Sequence, residues 1–393
     1  MKNNFTLQKG DQNTLVCNSF SDCYHDLNQY ILTEGIKTES RIGPTFETLN
    51  FKIVIQNPLY RSTVSLNRNS NIFFHLAESL WVLTGRNDLE FIEIFNSRFS
   101  SFSDDGKTLH GAYGKRMRKW KQANGEEPLD QLFKITSQLN SDPNLRRSVI
   151  SLWNPSLDLG INSKDIPCNT QLALRIKDTD LHLTIFNRSN DLHWGYVANI
   201  FQFSFLGEII SLLLNKNYIK QTHFSQSLHI YTENNLITEV KESDIHDNFY
   251  LKYKPSSFCF NFENSTENYS KRFSELDFIF NSIAEIILEI NKSDYEPFPN
   301  IIKKIQDYKD RSKSIYEIAY LLILYTNYKK EIKLYSNINE IRLKYADILI
   351  NKNDIDKFIH EDYFALSLNF FVNRMDNESK LKYTLIDSLM GQY

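Results

Sequence analysis

Apolar residues recur along the first 231 residues with a spacing that alternates between that of a helix and that of a strand. A spacing of three to four residues predicts helices over Ser21–Glu34, Ile72–Leu83, Leu129–Leu139 and Val197–Leu214. Alternation and short apolar runs predict strands over Glu47–Ile55, Ser148–Trp153, Gln171–Ile176 and Leu181–Asn187. Such mixing of helices and strands is typical of an α/β (α+β) protein.

The pattern changes near Glu242. From there on Asn, Lys, Ile, Tyr and Phe dominate, and helical spacing recurs over Phe273–Ile290, Ser314–Tyr328, Ile338–Ile350 and Ile355–Arg374. We therefore predict an α/β domain over residues 1–241 and a mostly helical C-terminal extension over 242–393. The extension is expected to pack on the core or across a dimer, with a lid or partner-binding role as the alternative.

Composition narrows the class of ligand. The chain has 393 residues, 41% of them hydrophobic, which is enough for a large core. A net charge of −3 offers no general attraction to nucleic acid or to an anionic membrane, so a phosphate group must be met by a local cluster of arginines. This favours a small anionic ligand and excludes neither an enzyme nor a binding protein.

Cysteine usage and hydropathy predict a cytoplasmic protein. The four cysteines are scattered and form no CxxC pair, which suggests neither a zinc site nor a disulfide framework. The N-terminus lacks an apolar signal core, and the apolar run Ile318–Tyr325 is too short to cross a bilayer.

One cysteine has the surroundings of a nucleophile. Cys168 lies between a polar, turn-like stretch and the strand that starts at Gln171. A thiolate needs access and nearby cations, and guanidinium groups also suit a phosphate because they donate paired hydrogen bonds. The candidate cations are Arg41, Arg146, Arg147 and Arg188.

Linked motifs carry a family resemblance. RRSVISLWNP (146–155), PCN (167–169), NRSNDLHWGYVAN (187–199) and SLHIY (227–231) occur in one order, preceded by LAESLWVLTG (76–85) and HGAYGKRMRKW (110–120). In these motifs the chain resembles the thymidylate synthase and pyrimidine nucleotide hydroxymethylase superfamily over about residues 20–240. The resemblance implies a thymidylate synthase-like fold with a curved mixed β-sheet, and a homodimer whose active sites borrow arginines from the neighbouring subunit.

The resemblance also implies roles for individual residues. Cys168 would add to C6 of a pyrimidine nucleotide, with Glu78 and Tyr113 assisting proton transfer. The 5'-phosphate would be held by Arg41, Arg188 and Ser189, and by Arg146 and Arg147 of the neighbouring subunit. The base and sugar would meet Asn169, Asn199, His229 and Tyr231. The cofactor 5,10-methylenetetrahydrofolate would meet Asp191, Gly195, Arg68, Phe99 and Phe102, and no metal is implied.

Departures from the synthase pattern favour one branch of the superfamily. Asn169 and Asn187 stand where synthases usually have His and Gln, and Phe99 and Phe102 stand where they have tryptophans. Asn190 and SLHIY resemble the hydroxymethylases, in which water and not hydride completes the transfer. Since Asn199 can pair with cytosine or uracil by turning its amide, it leaves the base open.

We therefore predict a CMP or dCMP 5-hydroxymethylase of modified-nucleotide or antimetabolite biosynthesis. The alternatives are a divergent thymidylate synthase that methylates dUMP to dTMP and a non-catalytic nucleotide-binding scaffold. Retention of Cys168, Glu78, Tyr113 and the arginines argues against the scaffold.

Overall fold

The computed structural model describes residues 13–40, 42–64, 70–122, 125–233, 253–262, 268–351 and 358–380. The strands are β1 (Thr14–Cys17), β2 (Ile36–Glu39), β3 (Pro44–Ile55), β4 (Val149–Ser151), β5 (Asn169–Lys177), β6 (Asp180–Asn187), β7 (Asn190–Asp191) and β8 (Asn217–Tyr231). The helices before residue 234 are α1 (Ser21–Glu34), α2 (Ile72–Leu83), α3 (Leu89–Ile92), α4 (Tyr113–Arg118), α5 (Gln131–Ser141), α6 (Pro155–Asp158) and α7 (Gly195–Leu214), with a 3₁₀ turn at Ser97–Phe102. The later helices are α8 (Tyr269–Lys292), α9 (Phe298–Ile301), α10 (Asp307–Arg311), α11 (Lys313–Leu334), α12 (Ile338–Asn351) and α13 (Glu361–Val372), with a 3₁₀ turn at Ile302–Ile305.

All eight strands join one mixed sheet in the order β1-β3-β8-β6-β5-β4, with β2 beside β3 and β7 beside β8. The long strands β3 and β8 pair antiparallel, whereas β6 and β7 run parallel to β8. The predicted α/β (α+β) architecture, a mixed sheet followed by C-terminal helices, is confirmed.

The helix predictions for Ser21–Glu34 and Ile72–Leu83 match α1 and α2 from end to end. Periodicity predicted no strand over β8, and only the motif SLHIY was recognised at its end. Its inward positions include Gln221, His223 and Ser225, which are at most 1% exposed. Because polar residues occupy both faces of this strand, it lacks the alternation that would reveal it.

The helix α7 packs on β6 and β8 of the sheet, and α2 packs on α7 to form a further layer. Among the described residues, α7 is the helix whose length and composition would suit a membrane span, but 89% of that stretch is buried inside the protein. A helix that is apolar on every side is typical of a protein core.

The helices of the extension pack on this layer. Phe73 of α2 stacks on Tyr325 of α11 with ring centroids 4.8 Å apart, and it also contacts Phe370 and Phe371 of α13. One hydrophobic core therefore includes residues from both parts of the chain. The predicted boundary at 241/242 lies outside the described residues and stays a prediction.

A buried ion pair lies where the extension meets α7. Arg61, in the segment after β3, pairs with Glu208 of α7, and both side chains are at most 6% exposed. Glu208 also accepts a 2.7 Å hydrogen bond from the Phe258 backbone N–H. Nearby, burial raises the pKa of the Asp362 carboxyl of α13 to about 7. Burial of charged groups is costly unless they are paired, so this contact depends on all partners being present.

Candidate active site

Two glycines fix the position of α4: Gly111 permits close approach of the Cys168 segment, and Gly114 permits close approach of α2. A Cβ on Gly111 would lie 2.9 Å from the Asp165 carbonyl oxygen, and one on Gly114 would lie 2.6 Å from the Val82 carbonyl oxygen. These backbones can approach so closely only because neither glycine has a side chain. The motif HGAYG thus places Tyr113 beside the start of β5, where the Asn169 N–H lies 3.4 Å from the Tyr113 hydroxyl.

Cys168 is half-buried at the entrance to β5. The Arg188 guanidinium donates to the carbonyl oxygens of Ile166 and Pro167, each at 2.9 Å. Its Nη2 lies 3.7 Å from the Cys168 Sγ. A cation at this distance favours the negatively charged sulfur, which is the nucleophilic form.

A cavity of about 300 Å³, here called the inner cavity, opens in front of the Cys168 sulfur. Eleven of the predicted site residues line it: Glu78, Phe99, Phe102, Tyr113, Cys168, Ser189, Asp191, Gly195, Asn199, His229 and Tyr231. They come from α2, α4, α7, β7, β8, the 3₁₀ turn at Ser97–Phe102 and the connections that precede β5 and β7, so distant parts of the sequence converge at one place.

Glu78 projects from α2 and is 8% exposed. Its Oε2 atom makes no hydrogen bond within the described part of the chain. Burial raises the pKa of this carboxyl from 4.5 to about 8. A carboxyl that holds its proton near neutral pH can serve as an acid or a base in turn.

Tyr113 and His229 both line the inner cavity. Burial, followed by the charge of Cys168, raises the pKa of the Tyr113 hydroxyl well above its ordinary value. Burial lowers the pKa of His229, so its imidazole is neutral at physiological pH and can donate or accept one hydrogen bond. Tyr231 packs edge-on against His229, with ring centroids 5.2 Å apart.

Four buried carboxamides meet at the base of the inner cavity. The Asn199 Oδ1 accepts hydrogen bonds from Asn169 Nδ2 at 3.0 Å and from Gln202 Nε2 at 2.8 Å. The Asn199 Nδ2 donates to Asn190 Oδ1 at 3.2 Å. The predicted base contacts Asn169 and Asn199 are therefore in direct contact with each other.

A second cavity of about 580 Å³, here called the outer cavity, adjoins the first and shares Glu78, Asp191 and Gly195 with it. The predicted Phe99 and Phe102 form one wall, with ring centroids 6.4 Å apart. The Asp191 carboxylate accepts from the Trp194 N–H at 2.8 Å and so helps to fix the start of α7.

Sequence analysis missed several residues of these cavities. Trp194 is 53% exposed in the outer cavity, and the Arg98 guanidinium lies 5.2 Å from the centre of its ring. Trp81 and Asp165 line the inner cavity. Indoles therefore do border the site, although phenylalanines occupy the two expected positions. Gln202 also lines the inner cavity and was missed. Its position could have revealed it, because it is a polar residue three positions after Asn199 in an apolar helix.

The predicted phosphate arginines are not all brought together. Arg188 and Ser189 lie beside Cys168, whereas Arg146 and Arg147 are exposed next to β4 and line neither cavity. Arg41 and Arg68 lie outside the described residues. Within one described chain, the phosphate site is thus formed in part.

The fold and the converging cysteine, carboxylate and amides define a protein of the thymidylate synthase class. The sequence model of the thymidylate synthase family matches residues 22–338. The chain belongs to this family.

Individual relatives fall in two groups. The chain is 42% identical over 203 residues to the deoxyuridylate hydroxymethyltransferase of Pseudomonas phage M6, covering 51% of this chain and 56% of the relative. It is 36% identical over 216 residues to the protein of that name from Bacillus phage SP01, and the match covers 53% of this chain and 56% of the relative. A thymidylate synthase from Symbiobacterium thermophilum is 33% identical over 175 residues, covering 42% and 60%. The chain thus spans 56% to 60% of the length of these three relatives.

Proposed function

We propose that the chain is a folate-dependent enzyme that hydroxymethylates C5 of a pyrimidine nucleoside 5'-monophosphate, with deoxyuridylate as its preferred substrate. The observation that carries this proposal is the meeting of Cys168, Tyr113, Glu78 and Asn199 at the inner cavity. A nucleophile, two groups with raised pKa values and a base-pairing amide are what C5 chemistry on a pyrimidine requires.

Each residue has a defined task in this proposal. The Cys168 thiolate adds to C6 of the pyrimidine, which breaks the ring conjugation and makes C5 nucleophilic. Once C5 carries the new carbon, its proton must leave, and Glu78 and Tyr113 are the titratable groups of the cavity suited to relay it. Loss of that proton would release the folate amine from the new carbon and leave an exocyclic methylene at C5. Water would then add to this methylene, and elimination of the Cys168 sulfur from C6 would restore the ring.

The outer cavity fits a folate. Its aromatic walls, Phe99, Phe102 and Trp194, suit a flat heterocycle. Glu78, whose Oε2 makes no hydrogen bond within the described residues, lines both cavities. Arg98 supplies a cation for the acidic tail. Methylenetetrahydrofolate supplies the one-carbon unit when it is bound there.

The choice of deoxyuridylate rests on the named relatives. Two phage proteins at 36% and 42% identity are called deoxyuridylate hydroxymethyltransferases. The cytidylate substrate favoured by sequence analysis stays a prediction, because Asn199 can pair with either base. The relative called thymidylate synthase supports the second candidate function, methylation of dUMP.

A homodimer would complete the phosphate site. The outward face of the sheet exposes Val16, Val149 and Phe224, each at least 36% exposed, and no described element covers them. Arg146 and Arg147 border this face beside β4. In a dimer packed through this face, they could therefore reach the phosphate site of the second copy. The proposal therefore includes a homodimer. It also includes the cytoplasmic location predicted from the sequence.

The test incubates the protein with methylenetetrahydrofolate and dUMP, dCMP, UMP or CMP, and follows dihydrofolate absorbance and product mass together. A 5-hydroxymethyl product from dUMP without dihydrofolate supports the proposal. A methyl product with one dihydrofolate per turnover would make the chain a synthase. Hydroxymethylation of only CMP or dCMP would restore the cytidylate prediction, and no product from any nucleotide would favour the scaffold.

A further inference from the structure

The orientation of the Asn199 carboxamide is tied to the orientations of its three neighbours. A carboxamide oxygen accepts two hydrogen bonds, and both places on Asn199 Oδ1 are taken, by Gln202 Nε2 at 2.8 Å and by Asn169 Nδ2 at 3.0 Å. One of the two Nδ2 hydrogens goes to Asn190 Oδ1. What Asn199 has left for a ligand is therefore one N–H donor.

The same network leaves an acceptor next to that donor. Gln202 lies one helical turn after Asn199 on α7, so the two side chains share a face of the helix. Gln202 is 3% exposed and lines the inner cavity, and its Oε1 makes no hydrogen bond within the described residues. A buried carbonyl oxygen of this kind is costly unless a ligand supplies a donor.

The four amides can turn only together. If Asn199 alone turned by half a rotation, its N–H groups would face the N–H groups of Gln202 and Asn169, and its oxygen would face the Asn190 oxygen. Buried like-to-like contacts of this kind leave every partner unsatisfied. The orientation of Asn199 therefore depends on Gln202.

We propose that Gln202 is a specificity-determining residue, which holds Asn199 with an N–H directed at the C4 substituent of the base and so favours uracil over cytosine nucleotides. This inference rests on the proposed function. Uracil offers the O4 acceptor to that N–H, and its N3–H can reach a carbonyl oxygen such as Gln202 Oε1. Cytosine places an amino group at C4, so that donor would face donor.

The first test is Gln202→Glu. Glutamate has nearly the same shape but only accepts hydrogen bonds when it is ionised. Because burial in this cavity raises a carboxyl pKa, as it does for Glu78, binding is compared at a pH where the new carboxyl is ionised. There Asn199 should turn its Nδ2 toward position 202 and offer its oxygen to the base. We expect the ratio of the dCMP to the dUMP dissociation constant, measured by calorimetry without folate, to fall at least about tenfold. Gln202→Met removes both hydrogen-bonding ends and should bring the ratio toward one.

The matched control is Gln131→Glu. Gln131 is also buried, at 8% exposed, but it bonds the backbone of Arg116 and Ser151 and lines neither cavity. This control should leave the ratio unchanged, whatever it does to stability.

An unchanged ratio in the folded Gln202→Glu and Gln202→Met proteins would overturn the inference, as would a wild type that binds dCMP more tightly than dUMP. Because binding is measured without turnover, a wild type that prefers dUMP yet makes no hydroxymethyl product would contradict the proposed function and leave this inference standing.

Discussion

The Nη2 atom of Arg188 lies 3.7 Å from the Sγ atom of Cys168, and the same guanidinium donates to the carbonyl oxygens of Ile166 and Pro167. Sequence analysis predicted Arg188 as a phosphate ligand and as one of four candidate cations for the thiolate. In this position it also holds the backbone of the Cys168 segment and places a positive charge beside the sulfur. A phosphate bound by Arg188 would therefore be coupled to the position of the thiol.

Replacement of Cys168 by Ser should abolish turnover, because a hydroxyl is a far weaker nucleophile at neutral pH than a thiolate. Binding of the nucleotide should stay within a few-fold, since the side chains are close in shape. Product mass and calorimetry measure the two effects. The control is Cys259→Ser, an exposed cysteine of the extension segment that should keep wild-type activity. Turnover near the wild-type rate in Cys168→Ser would contradict the covalent mechanism.

Replacement of Arg188 by Ala should weaken binding of the monophosphate at least about tenfold more than binding of the free nucleoside, because a charged hydrogen-bond donor to phosphate is lost. It should also slow alkylation of Cys168 by iodoacetamide at pH 7, because the cation next to the sulfur is gone. Alkylation is read by peptide mass. Equal losses for nucleotide and nucleoside would contradict the phosphate role, and unchanged alkylation would contradict the role beside the thiol.

The Glu78 carboxyl should make stability depend on pH. Since burial raises its pKa from 4.5 to about 8, the native protein binds more protons than the unfolded chain between these values. The free energy of unfolding should therefore fall as pH rises through this interval, by at most roughly 5 kcal/mol from this group. In Glu78→Gln that share of the slope should vanish.

Urea denaturation of the wild type and of Glu78→Gln at pH 5, 7 and 9 measures how the free energy of unfolding of each depends on pH. The difference between the two slopes isolates Glu78, because the other buried carboxyls contribute equally to both. Glu90→Gln, at a side chain that is 50% exposed, is the matched control and should keep the wild-type slope. Identical slopes for wild type and Glu78→Gln would mean that Glu78 ionises normally.

A methyl group on Gly114 should push α4 away from α2, because it would lie 2.6 Å from the Val82 carbonyl oxygen and the backbone there cannot yield cheaply. We expect Gly114→Ala to destabilise the protein by about 1–3 kcal/mol and to lower kcat by displacing Tyr113. Gly195→Ala is the control for stability, since its Cβ would meet Asn190 Oδ1 at an ordinary 3.6 Å. A Gly114→Ala protein with wild-type stability and kcat would show that this contact does not position Tyr113.

The buried pair of Arg61 and Glu208 should stabilise the contact between α7 and the extension only while both partners are present. Glu208→Leu alone is expected to cost roughly 3–5 kcal/mol, because it leaves the Arg61 charge buried and unpaired. The double variant Arg61→Met with Glu208→Leu should recover much of that loss. Thermal and urea unfolding of the single and double variants measure the coupling, and simple additivity of the two losses would refute it.

Sequence reasoning worked best where one physical rule acted alone. Both ends of α1 and α2 could be predicted because apolar spacing continues up to a turn signal. It failed for β8, where Gln221 and His223 are buried although they are polar. Their burial depends on neighbours from α7, such as the Ile200 carbonyl that accepts from Gln221, and no local pattern announces such a partner.

At the site, eleven predicted residues line one cavity. They could be predicted because the order of the motifs identifies them without any knowledge of distances. Trp194 and Asp165 were missed for a different reason. Each lies within or beside a recognised motif, but whether a side chain turns toward a cavity is decided by backbone paths that converge only in three dimensions. The same limit applies to Arg146 and Arg147, which we expect to contact the phosphate in the site of a second chain.

The helix α2 carries Glu78 toward the cavities, and its remaining sides lie against α7 and the helices of the extension. Eleven of its twelve residues are buried. Substitutions in α11 or α13 that alter their fit against Phe73 would thus be felt at Glu78 without touching a ligand. In evolutionary terms the two parts of the chain are not free to drift independently: a recombination that exchanged the C-terminal helices between relatives would need to exchange α2 with them.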